Sequence, residues 1–170
     1  MVAIVLVILT GVGALIYRSS EPTAFDSFGN GMAMRLPEDG SRTLLVDVGY
    51  ASSTETVTLR SARAAVVQNT ANADIEFFVC GIRQRVGASF DPVEQVCSGT
   101  TAIGGHRFVI GSEKETVMMA VTPRRAGQVV LRGAIIEYAR GARHLWQTGE
   151  ERIGPVVRIE TKQARPADSR

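Results

Sequence analysis

Two histidines, two cysteines and five methionines are the side chains of this 170-residue chain best suited to nucleophilic, proton-transfer or soft-metal chemistry. His106 stands in a strand-like stretch, Gly105-His106-Arg107-Phe108, and His144 lies in a loop beside Arg143 and Trp146. Neither has a Ser, Cys or carboxylate at the spacing of a recognisable nucleophile–base pair. Gly-x-Ser-x-Gly, Ser-x-x-Lys and the Gly-rich phosphate loops are missing from the sequence. The expectation is a protein that is not an enzyme, with no catalytic residue and no cofactor.

The methionines raise a copper reading. Met32 and Met34 form a Met-x-Met, and Met118 and Met119 follow His106 in a neighbouring strand pattern; thioethers and imidazoles are the ligands that suit Cu(I). Core roles compete with it: Met119 shares parity with Val117 and Val121, Met118 points to the other sheet surface, and the first two belong to a stretch without period. No residue is assigned to a metal, and a copper or small-ligand carrier is kept as the alternative function.

Cys80 and Cys97 form an even pair downstream of an apolar N-terminal run, the arrangement expected of a disulfide in an oxidising compartment. Closing a loop of that size contributes roughly 3 kcal/mol. The competing possibility is a pair of buried reduced thiols in a cytosolic domain. Zinc is disfavoured because no His and no second Cys pair lies beside them.

These residues are displayed by a chain of two characters. Residues 1–17, MVAIVLVILTGVGALIY, carry no charge. As a helix they would span about 25 Å, close to the roughly 30 Å of a hydrocarbon core. No Lys or Arg precedes the run and no small-residue cleavage pattern follows it, so an uncleaved signal anchor is favoured over a processed signal peptide. Arg18 by itself votes for a cytoplasmic exit, whereas the cysteine pair votes for an extracytoplasmic domain. Residues 18–41, with Pro22 and Pro37, read as a tether. From Arg42 the period is two: Leu44, Val46, Val48 and Tyr50; Val57 and Leu59; Ile75, Phe77 and Val79; His106, Phe108 and Ile110; Val117, Met119 and Val121; Val129, Leu131 and Ile135. Val156 to Thr161 closes a domain of residues 42–161, and 162–170 is a polar tail. Ser61 to Gln68 fits a strand or a helical turn equally well. Seven to nine short strands without an amphipathic helix imply an all-β, antiparallel sandwich or small barrel, with the sandwich favoured.

Seventeen Arg against two Lys are scattered among acidic residues, and the net charge is only +2. That distribution argues against nucleic acid as a partner. The exception is the loop from Arg140 to Gln147, which gathers Arg140, Arg143, His144 and the sole Trp, Trp146. Arg and Trp are favoured in protein interfaces, and loops on a rigid scaffold commonly carry binding. Trp146 tucking back onto the core is the other possibility.

The stretch from Met118 to Gly149, with Thr122-Pro123-Arg124-Arg125-Ala126-Gly127, Leu131-Arg132-Gly133, Tyr138, Gly141 and Gln147-Thr148-Gly149, resembles the closing hairpin of uncharacterised membrane-anchored, immunoglobulin-like β-sandwich proteins of high-GC bacteria. The resemblance covers about a fifth of the chain. It implies an immunoglobulin-like sandwich facing the cell envelope and implies no reaction. Cys80 and Cys97 are too close in sequence for the inter-sheet bridge of antibody domains, and no Trp lies between them, so the bridge should staple a loop or hairpin. Together these readings give an immunoglobulin-like β-sandwich preceded by one N-terminal transmembrane helix. It is expected to be single-pass in the cell membrane with its C-terminal domain extracytoplasmic, acting as an interaction or accessory subunit whose partner is a membrane or envelope protein.

Overall fold

The computed structural model describes residues 13, 23–25, 31–35, 42–49 and 54–161. The expected transmembrane helix, apart from Gly13, and the polar tail lie outside the described residues; among those residues no helix is long and apolar enough to cross a membrane. The chain builds two five-stranded sheets, numbered here in chain order. The first has the order β1 (Met32–Arg35), β10 (Thr148–Thr161), β9 (Gly127–Arg140), β3 (Thr56–Asn69) and β7 (Arg107–Val109). The second runs β5 (Ala88–Ser89), β2 (Leu44–Asp47), β8 (Glu115–Thr122), β4 (Asp74–Ile82) and β6 (Cys97–Ala102). The all-β sandwich expected from period-two patterning is therefore what forms.

Alternate residues of the facing strands make the main core: Val57 and Leu59 from β3, Met119 and Val121 from β8, Leu131, Ile136 and Tyr138 from β9, and Ile159 from β10. Strands such as β3 bury mainly one parity because successive side chains point to opposite faces. β2 and β9 bury short runs across both parities, Leu44 to Val46 and Gly133 to Ile136, and β8 the longest, with six consecutive buried residues. Its second face, with Met118 and Ala120, joins Leu45 and Cys80 in a smaller core roofed by Val86, Val93 and Val96. That roof is the excursion 83–96 between β4 and β6, which ends in one helical turn, α1 (Val93–Val96). A strand covered on both sides reads as a continuous apolar run.

Three features go beyond the expected pattern. Ser61 to Gln68 is strand, the second half of β3, because β9 offers it a partner along its whole length; register shifts after Leu59, Ala64 and Val66 bend it to fit. β9 and β10 are each fourteen residues long, longer than local patterning implied, because glycines absorb the bend: Gly133 and Gly154 have φ of +76° and +84°. A Cβ on Gly133 would collide with the Ile153 carbonyl oxygen. Finally, the stretch read as a tether contributes to the sandwich. Phe25 is 5 % exposed and packs against Phe108 and Tyr138. Met32–Arg35 pairs with β10 in parallel, from Met32 opposite Val157 to Arg35 opposite Glu160. The sheet is thus not wholly antiparallel, because the entering chain runs along β10 in the same direction.

Candidate functional site

β9 and β10 are joined at one end of the sandwich by the loop 141–147, and that loop is tied down from inside. Arg140, the last residue of β9, directs its guanidinium onto Glu55 with two bonds, Nε to Oε1 at 2.6 Å and Nη2 to Oε2 at 2.7 Å. The side chains are 14 % and 20 % exposed, so the pair is shielded, and two-pronged geometry of this kind fixes orientation as well as charge. His144 Nε2 lies 3.4 Å from Glu55 Oε1 and 3.3 Å from Arg140 Nη2. Buried Gln147 returns the Arg140 amide through its carbonyl at 2.8 Å. A short 3₁₀ turn over Ala142–His144 leads into Leu145 and Trp146, both left-handed at φ +53° and +52°. Non-glycine residues take that conformation only where their surroundings hold them in it.

The four residues singled out in this loop therefore divide. Arg140 and His144 converge on Glu55 and shape the loop, while Arg143 is exposed and Trp146 is 64 % exposed rather than tucked onto the core. The loop walls a depression of about 930 Å³ on the outer face of the first sheet, lined among others by Thr56, Thr58, Arg60, Arg107, Arg143 and Trp146. Arg60, Arg107 and Arg143 are exposed and pair with no carboxylate among the described residues. A concave surface with three uncompensated guanidinium groups and an indole on its rim can hold a carboxylate-bearing or otherwise anionic segment by two-pronged hydrogen bonds and stacking. Glu55, Arg60 and Arg107 were not singled out in the sequence. The outward parity of Thr56, Thr58 and Arg60 was the only local sign, and nothing in the sequence places Glu55 against Arg140.

Other candidate residues are dispersed. His106 Nε2 meets Glu115 Oε2 at 3.0 Å, and the other oxygen of that carboxylate accepts the Val109 amide, a link between the two sheets. Met32 and Met34 pack against the main core from β1, and Met118 and Met119 sit in different cores on opposite faces of β8. Among the described residues no group of three or more His, Cys, Asp or Glu is placed to hold a metal ion. Cys80 and Cys97 are joined in a disulfide, with Cα atoms 5.3 Å apart. It staples the end of β4 to the start of β6, at the base of the 83–96 excursion and within one sheet.

Two further carboxylates are worked into the structure. Asp47 Oδ1 accepts from Thr116 Oγ1 at 2.6 Å and from the Gly49 amide at 3.0 Å beneath that excursion; burial nonetheless pushes its pKa up, against the opposing pull of those bonds and of Arg85. Glu151 accepts from the Ala24 amide at 2.6 Å, the Phe25 amide at 3.1 Å and the Tyr138 hydroxyl. Burial, and then the adjacent carboxylate, raises the Tyr138 pKa. This cluster fixes Ala24 and Phe25 against the sandwich.

In comparisons with other proteins, no family model, no curated protein and no solved structure matches this chain.

Proposed function

We propose that this chain is a membrane-anchored, extracytoplasmic, immunoglobulin-like β-sandwich that serves as a non-enzymatic interaction or accessory subunit of an envelope complex. Residues 1–17 act as its signal anchor, and its partner is a membrane or envelope protein. The reading rests on one observation above all: the 141–147 loop is stiffened by the Glu55–Arg140 pair and walls an arginine-lined depression with Trp146 on its rim. A preformed concavity loses little conformational freedom on binding, and Arg and Trp are the residues on which interface energy concentrates. The uncharged N-terminal run supports the membrane address. The disulfide supports an oxidising compartment.

The test is capture of the full-length protein from native membranes in mild detergent, beside a double variant Arg60→Glu and Arg107→Glu. The expected outcome is a stoichiometric membrane protein that the variant loses while remaining folded. Recovery of the protein alone with bound copper, or of a partner that the variant keeps, overturns the reading.

A further inference from the structure

Ala24 and Phe25 are the first of the described residues to be buried in the sandwich. Their amides are held by Glu151, the residue of β10 opposite Ile136 and only three positions from the start of that strand at Thr148. Further along the chain, Met32 stands opposite Val157 and Arg35 opposite Glu160. From Ala24 at Glu151 to Arg35 at Glu160 the described residues thus advance in the direction of β10, away from the 141–147 loop, and Ala24 and Phe25 are the ones nearer the end of the sandwich that carries this loop.

Covalent geometry turns that direction into a distance. Between Tyr17, the last residue of the apolar run, and Thr23 lie six Cα–Cα steps, which at full extension cover about 20 Å. If residues 1–17 cross the bilayer, the loop end of the sandwich is held within that reach of the hydrocarbon boundary. From Glu151 back to Thr148 the strand rises roughly 10 Å, so the loop projects beyond the entry point by about half of the available gap. The headgroup layer, about 5–8 Å deep on each side, takes up part of the remainder.

The loop carries the side chains that such a layer accepts. Exposed large hydrophobic residues among the described ones are Val66, Val67, Val109, Leu145 and Trp146. The last three belong to this end, since Val109 pairs with Thr56 beside Glu55. Leu145 and Trp146 are consecutive, 39 % and 64 % exposed, and held in the left-handed conformation. Arg143 next to them is exposed and pairs with no carboxylate among the described residues. Trp is favoured at the membrane–water interface for its apolar body and polar edge. A guanidinium matches the phosphate of an anionic headgroup.

We infer that the 141–147 loop rests in the headgroup layer of an anionic membrane, with Leu145 and Trp146 in the interface and Arg143 on the headgroups. This rests on the anchor reading above. The contact orients the module: the loop tip faces the bilayer, and the depression with Arg60 and Arg107 opens sideways toward a protein partner in the same membrane.

Trp146 is the sole tryptophan, so its emission reports on this loop alone. The full chain is reconstituted in vesicles of phosphatidylcholine and phosphatidylglycerol, with and without bromine at a shallow acyl position, and floated on a density gradient. The expected result is a protein that floats, with blue-shifted emission that loses most of its intensity to the brominated lipid. In a folded Leu145→Glu variant most of that quenching disappears. A protein that floats but whose emission is neither shifted nor quenched overturns the loop contact and leaves the anchor standing. A blue shift without quenching places Trp146 against protein and also overturns it. A chain that fails to float overturns the anchor and the contact together.

Discussion

Two connections at the same end of the sandwich are held shut by opposite means. The 83–96 excursion is closed at its base by the Cys80–Cys97 bond and lies over a small apolar core of its own. The 141–147 loop has no covalent tie and, among the described residues, no core beneath it; it is held by Glu55, Arg140 and Gln147. The first is a cover whose apolar residues point inward, and the second is a display that turns Leu145 and Trp146 outward. Burial and a cross-link suit a segment that protects a sheet face, because apolar contact is non-directional and tolerates small shifts. A directional, two-pronged ion pair suits a segment that must hold side chains in solvent at a set angle.

The largest effect should come from removing the covalent tie. Reduction, or Cys80→Ser together with Cys97→Ser, is expected to lower stability by about 3 kcal/mol, as chain entropy for a separation of 17 residues implies. Denaturant unfolding with and without reductant measures it, and the emission of native Trp146 should not change. A change in that emission would show that the two connections are one unit.

Arg140→Ala comes next. It leaves the shielded Glu55 carboxylate with His144 in place of its two-pronged partner, a loss that falls between the exposed and fully buried cases at about 2 kcal/mol. Here the Trp146 emission should shift and proteolytic nicking should appear within 141–147 while the disulfide stays intact. An unchanged loop would mean that Gln147 and the backbone bonds suffice, and the contrast would lose its electrostatic half.

The smallest effect concerns Asp47 beneath the covered excursion. Its folded pKa is raised above 3.8 by burial, so the folded state binds a proton more tightly than the unfolded state. Stability therefore falls as pH rises from 3.8 through the raised value. Asp47→Asn keeps an oxygen to accept from Thr116 and Gly49, and it should abolish this slope in denaturation midpoints measured across that range. Persistence of the slope in the variant would place its origin elsewhere.

Much of the architecture was legible in advance because burial of one sheet face imposes period two on the strand itself, as at Val57 and Leu59 or Val117, Met119 and Val121. The disulfide was legible for the same local reason: two cysteines and nothing else to pair them with. Phe25 was not, since one aromatic residue in an aperiodic stretch carries no periodic signal; only Glu151 and Tyr138, more than a hundred residues later, give it a place. The candidate site was legible in half. Arg140, Arg143, His144 and Trp146 are neighbours in sequence, but Arg60 and Arg107 join them only through the pairing of β3 with β9 and β7.

Composition and spacing alone determined the uncharged N-terminal run, the faces of most strands and the identity of the cysteine pair, because each depends on residues close together in the chain. Tertiary structure decided that Arg140 pairs with Glu55 at the base of the loop, and that Trp146 is exposed. It also placed Ala24 and Phe25 at Glu151, near the end of the sandwich that carries the loop. Each of these follows from strand register across the sheets, which brings Glu55 to Arg140 over a separation of 85 residues and which no local pattern encodes.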